Sequence, residues 1–261
     1  MWIAAGLVLV CALLAAPGCR RRRGSMAPLF AGTGPHWRRL YGRRGLLKLG
    51  AALAGAGVLV YSGLDAAATG WHDRRVRSAG SDRVARVGYE AGKRPWFLLW
   101  AALAAVDAWV RSGPFTRWGR ANFEAMCVGL PLLWTVQRGL GADRPDAAEP
   151  TPAWRPLRTD HAASGHAFIG AVPWLNAARA AVPGPVRPLL VAGSLLSGWS
   201  RLNDRKHYLS LVWLGWFLAW QATAAVAAAR PAAGTEAGGG PAAPGTAGPA
   251  PAGAGVTKET P

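Results

Sequence analysis

Acidic residues are scarce in this 261-residue chain: 13 Asp and Glu stand against 30 Lys and Arg, which leaves a formal charge of +17. Cysteine is scarcer still. Cys11, Cys19 and Cys127 show no metal-ligand spacing and no even disulfide framework. Cys127 lies in an apolar run and reads as a small buried hydrophobe. Strand-like alternation of any length is missing, and so is any internal repeat, which leaves helices as the building material. Charged residues of both signs make up only 16% of the chain, too few for an ordinary soluble enzyme.

Apolar residues fill the gap. They account for 51% of the chain, with 14 tryptophans among them, a balance that suits a membrane protein. The positive charge raises nucleic acid as a partner. The arginines, however, flank apolar runs instead of forming one basic face, so no nucleic-acid partner is expected.

The chain divides into three parts. Residues 1–36 form an N-terminal hydrophobic segment and basic linker. Ile3 to Gly18 is apolar and Arg20 to Arg23 follows, so the charge sits at the wrong end for a signal peptide. Ala16-Pro17-Gly18-Cys19 is a poor lipoprotein box with the same defect. A short reverse anchor and a true start at Met26 both account for this segment. Residues 37–229 predict an all-α membrane bundle of six core spans: 45–64, 96–112, 122–138, 164–181, 186–202 and 208–229. Residues 71–94 are arginine-rich and read as a surface helix or loop on lipid headgroups. Asp107, inside the second span, reads as a partner for a neighbouring arginine or hydroxyl. Residues 230–261 are Ala, Gly, Pro and Thr and cannot bury enough apolar surface to fold.

The basic flank from Arg38 to Lys48 places residues 37–48 in the cytoplasm. Alternating the spans then puts three features on the outer face: the Pro- and Gly-broken loop 139–163, Ser164-Gly165-His166, and Arg201 to His207. The same alternation leaves the tail in the cytoplasm. Two histidines, the arginines Arg144 and Arg201 and a small-residue turn on one face form a phosphate-handling set. Arginine grips phosphate oxygens in a bidentate fork and keeps its charge. One histidine can attack phosphorus while another protonates the leaving oxygen. No metal-ligand cluster is visible, and no cofactor is expected.

The order of these residues resembles the type 2 phosphatidic acid phosphatase family, relatives of the vanadium haloperoxidases. Gln137, with Arg144-Pro145 after it, stands where that family has Lys, six residues and Arg-Pro; Arg138 lies next to the lost Lys. Ala163-Ser164-Gly165-His166 corresponds to Pro-Ser-Gly-His, with Ala in place of Pro. Ser200-Arg201, five residues and His207 match the third motif, with Leu211 where an Asp belongs. The resemblance covers roughly residues 96–225. It implies that His207 is the nucleophile, that His166 protonates the leaving group, and that Arg144, Arg201, Ser164 and the Gly165 N–H hold phosphoryl oxygens. Arg138 can supply the lost cation, and Asp204 can orient His207 in place of the absent Asp. The implied function is hydrolysis of a lipid phosphate or polyprenyl pyrophosphate through a phosphohistidine. The implied setting is the bacterial inner membrane with the site facing outward. Rival readings are a weak relative that binds lipid phosphate without turning it over, and a small transporter. A soluble haloperoxidase is disfavoured by the spans.

Overall fold

The computed structural model describes residues 27–30, 32–148, 150–180 and 182–229. The hydrophobic segment up to residue 26 and the 230–261 tail lie outside the described residues. After one helical turn, Ala27–Phe30, ten helices follow in order: α1 (Gly34–Tyr41), α2 (Arg43–Tyr61), α3 (Leu64–Arg75), α4 (Ala79–Ala91), α5 (Trp96–Trp109), α6 (Pro114–Leu140), α7 (Gly165–Arg179), α8 (Val186–Gly193), α9 (Leu196–Asn203) and α10 (Leu209–Ala227). No strand occurs among the described residues; a single isolated bridge pairs Ala142 with Trp154. The all-α expectation holds.

α10 is the axis of the bundle. Its apolar run is 67% buried, against 28% for that of α2. α10 packs on α7, α6 and α2, and the buried side chains Met126, Leu133, Phe168, Leu175, Leu214 and Leu218 fill the space between. Inside this apolar core the Asn176 amide donates to Asn122 Oδ1 at 2.8 Å, joining α7 to α6. Asp107, at the end of α5, accepts from Ser112 and Thr116 and faces Arg120 at 3.6 Å, the hydroxyl and arginine partners its depth requires.

The six spans are where the sequence pattern departs from the structure. By length and apolar composition only α2 and α10, among the described helices, suffice to cross a membrane. α5 and α7 are 14 and 15 residues long, and α6, though 27 residues long, carries Arg117, Arg120 and Glu124 in its first turns. The expected span 186–202 is two helices of eight residues each, α8 and α9. Ser194 parts them. Its hydroxyl donates to the Val191 carbonyl at 2.6 Å and accepts the Trp216 indole N–H at 2.8 Å, which holds the chain in a turn that hydropathy does not register.

Residues 71–94 also do more than lie on a surface. They form the end of α3 and all of α4, and α4 docks on α9: Ser197 donates to the Gly88 carbonyl at 2.8 Å, and Asn203 donates to Asp82 at 2.7 Å. The loop after α6 is pinned as well. The Thr159 hydroxyl bonds both backbone groups of Ala142, and the Leu157 N–H donates to the Arg138 carbonyl.

Replacing Asn176 by Ala strands the Asn122 amide in the core. The expected cost is about 1–3 kcal/mol, read as a lower unfolding midpoint in detergent. Changing both residues to Leu should recover part of it. An unchanged midpoint for Asn176→Ala would mean that the two amides do not meet.

Candidate functional site

The spacing of Arg201 and His207 has a backbone cause. α9 ends at Asn203, and the chain closes it with a Schellman turn: the Arg205 N–H donates to the Leu202 carbonyl at 3.0 Å, and the Lys206 N–H to that of Arg201 at 2.9 Å. The His207 N–H reaches the same Arg201 carbonyl at 3.3 Å. The intervening residues are therefore a helix ending that folds His207 back onto Arg201. Arg205 takes the left-handed position at φ 54°, a conformation glycine usually fills and which costs another residue ~1–2 kcal/mol. Its guanidinium is held by Asp73 at 2.9 Å.

Ser164 caps α7, its Oγ accepting the Ala167 N–H at 3.2 Å. Its own N–H donates to the Leu211 carbonyl at 2.8 Å. The turn can lie this close to α10 because residue 215 is glycine: a Cβ there would stand 2.3 Å from the Ser164 carbonyl oxygen. Gln137 donates to the Ala163 carbonyl at 2.7 Å and so braces the turn from α6. Gly165 and His166 open the first turn of α7, where backbone N–H groups lack helical acceptors.

Tyr89 joins the two turns, and nothing in the motifs pointed to it. The His166 ring stacks on it at 5.0 Å and 14°. The Arg201 guanidinium lies 5.1 Å from its centroid, and the Lys93 ammonium 4.8 Å. Gly92 permits this approach, since a Cβ there would fall 2.8 Å from the His166 carbonyl oxygen.

Arg144 arrives on the pinned loop. Lys206 pairs with Asp146 across the gap between that loop and the α9–α10 turn. Ala142 and Ala162 are buried with Tyr208 and Leu211. The Arg144 charge bears on His161, His166, Arg201 and His207 alike. Arg201 and Arg144 are thus shared by both histidines, and Arg94 and Lys93 add to the charge around His166.

His161 is a further residue that sequence reasoning passed over. It is half-buried beside Asp160, at 3.0 Å, and its charge reaches His207. Its only sequence signal is its place three residues before Ser164.

Two predicted residues fall elsewhere. Arg138 is exposed on α6, and the cations bearing on His166 are Arg201, Arg94, Lys93 and Arg144. Asp204 binds Arg201 at 3.0 Å, whereas the buried Nδ1 of His207 has no partner. The reason is local: Asp204 follows Arg201 by three residues on the same helix end, and Arg205 then turns the chain away. Among the described residues, no group of three or more His, Cys, Asp or Glu can hold a metal ion.

Burial first, and then the charges of Arg201 and Arg144, hold His207 well below the ordinary histidine range. The ring is neutral at neutral pH. The unfolded chain takes up this proton near 6.5 and the folded chain only well below. Stability is therefore full above that value and is lost as the pH falls through it. The unfolding midpoint should drop between about pH 7.5 and about pH 5, and drop less in His207→Gln. Equal slopes would place the ring in water. No protein-family model, curated protein or solved structure matches the chain, so the chemistry of the site rests on its own geometry.

Proposed function

We propose that this protein is a membrane phosphatase, a divergent relative of the type 2 phosphatidic acid phosphatases. It hydrolyses a lipid phosphate or polyprenyl pyrophosphate through a phosphohistidine on His207. The observation that carries this reading is the gathering of Arg144, Arg201, His166 and His207 from three separate stretches of chain around one set of cations. Arg144 makes no ion pair among the described residues, and such a concentration of positive charge suits an anion. The membrane setting is supported by large apolar side chains on the outside: Leu47, Val58 and Tyr61 of α2, Trp134 of α6 and Leu189 of α8 are each more than half exposed. On this reading the bundle is immersed in lipid with α5 to α9 completing the membrane segment, and the site faces outward.

The chemistry follows from the groups present. Nε2 of neutral His207 forms a bond to phosphorus as the bridging phosphorus–oxygen bond breaks. The electron pair leaves on the alcohol or phosphate oxygen, which takes a proton from His166, a ring that takes up that proton from solvent once the bound phosphate offsets the charges of Arg201 and Arg144 around it. Water then attacks phosphorus and gives a proton to His166. The phosphorus–nitrogen bond breaks, which restores His207 and releases inorganic phosphate. Arg144, Arg201 and the first N–H groups of α7 hold the non-bridging oxygens as charge builds on them.

One observation favours a second reading. For Nε2 to attack, the proton must sit on Nδ1, and that atom is buried without an acceptor. Leu211, where the family has its acid, is fully buried. A site so arranged binds lipid phosphate well and turns it over slowly.

Phosphate release from a panel of lipid phosphates by detergent-purified protein tests both. The phosphatase reading expects release that falls roughly 10⁴-fold or more in His207→Ala, with an acid-labile, base-stable phosphoryl label on the wild type. Binding of lipid phosphate without release, together with gain of release in Leu211→Asp, would establish the second reading.

A further inference from the structure

The His207 ring has no hydrogen bond at Nδ1 to hold it, so its place is set by the backbone on either side. On the N-terminal side the holder is the Arg201 carbonyl. On the C-terminal side it comes from far away in the sequence. Asp65, in the first turn of α3, is completely buried. One carboxylate oxygen accepts the Ser210 N–H at 2.9 Å, and the other accepts the Ser210 hydroxyl. Ser210 is the second residue of α10, three positions after His207.

A helix start normally takes its cap from its own N-cap residue. In α10 that residue is Tyr208, which makes no capping bond. The aspartate of another helix supplies the acceptor instead, and its negative charge suits the positive end of α10. Burying a carboxylate is unfavourable: burial raises the Asp65 carboxyl above the ordinary carboxylate range, and the hydrogen bonds from Ser210 and Leu209 offset this only in part. An ordinary Ser at position 208 would satisfy the Ser210 N–H with no buried carboxylate, so capping alone does not account for Asp65.

We propose that Asp65 is the positioning residue for His207: by clamping both donors of Ser210 it fixes the first turn of α10, and with it the place of the imidazole. The proposal rests on the reading of His207 as the reacting group. Asp65 touches neither substrate nor the ring and acts through the backbone.

The test compares wild type with Asp65→Ala, Asp65→Asn and Ser210→Ala in the full chain. The His207 imidazole is followed by nitrogen NMR of histidine-labelled protein in detergent, assigned with His207→Gln, with and without orthovanadate. Phosphate release and the unfolding midpoint are measured alongside. Asp65→Ala should shift or broaden the His207 resonances and lower kcat roughly 10²-fold, the usual cost of a displaced reacting group, while KM changes less than about threefold. Asp65→Asn, which keeps an acceptor for the Ser210 N–H, should restore much of both signals. Ser210→Ala should fall between, and it carries the test if Asp65→Ala does not fold. Unchanged His207 resonances in folded Asp65→Ala or, where that variant does not fold, in Ser210→Ala, even with a lower unfolding midpoint, would reduce Asp65 to a cap and overturn the proposal. Absence of release from wild type, with a spectrum indifferent to orthovanadate, would remove the phosphatase reading. The His207 resonances of the Asp65 variants would still decide the role of Asp65.

Discussion

The backbone of Ser164 lies against α10 with its N–H on the Leu211 carbonyl and its own carbonyl in the space that a side chain at Gly215 would fill. α7 starts from this contact, so the contact sets where His166 and the open N–H groups stand. α10 has His207 just ahead of its first turn. The two histidines are therefore related through one main-chain hydrogen bond and one missing methyl group. The remaining parts attach to that frame. Gln137 braces the turn from α6, Tyr89 lies flat on His166, and the α9 ending folds His207 onto Arg201.

Electrostatics gives this frame its bias. Arg201 is buried with a single carboxylate partner, Asp204, and Arg144 has none among the described residues. Lys93 and Arg94 come in from the α4–α5 connection. Of these cations Arg201 is buried, whereas Arg144 and Arg94 are exposed, so water and salt screen much of their mutual repulsion. The aromatic face of Tyr89 offsets part of that repulsion, since its ring quadrupole attracts both the guanidinium and the ammonium. The surplus of arginine over acid in the composition thus has a local counterpart at this end of the bundle.

The helical class was legible because apolar runs of this length need no context. The Ser-Gly-His turn was legible because serine before a helix has a local meaning; Arg201 and His207 stood out by their spacing, whose backbone cause, a helix ending, shows only in the fold. The split of 186–202 was not, since it depends on Trp216 reaching Ser194 from α10. Tyr89, His161 and Asp65 were not either. An aromatic shelf, a third imidazole and a buried acid carry no periodic signal, and their meaning comes from partners that folding brings near. Asp204 misled for the opposite reason. Its nearness in sequence to His207 suggested a contact that the left-handed residue at 205 directs elsewhere.

The hydrogen bonds that complete the surroundings of His207 span unusual lengths of chain: 145 residues from Asp65 to Ser210, 121 from Asp82 to Asn203, and 109 from Gly88 to Ser197. Closing such loops costs entropy before any contact repays it. A chain made from its N-terminus must carry Asp65, Asp82 and Gly88 without these partners until α9 and α10 exist. Completion of the histidine pocket is then a late event in biogenesis, and it marks the point at which the whole chain has arrived.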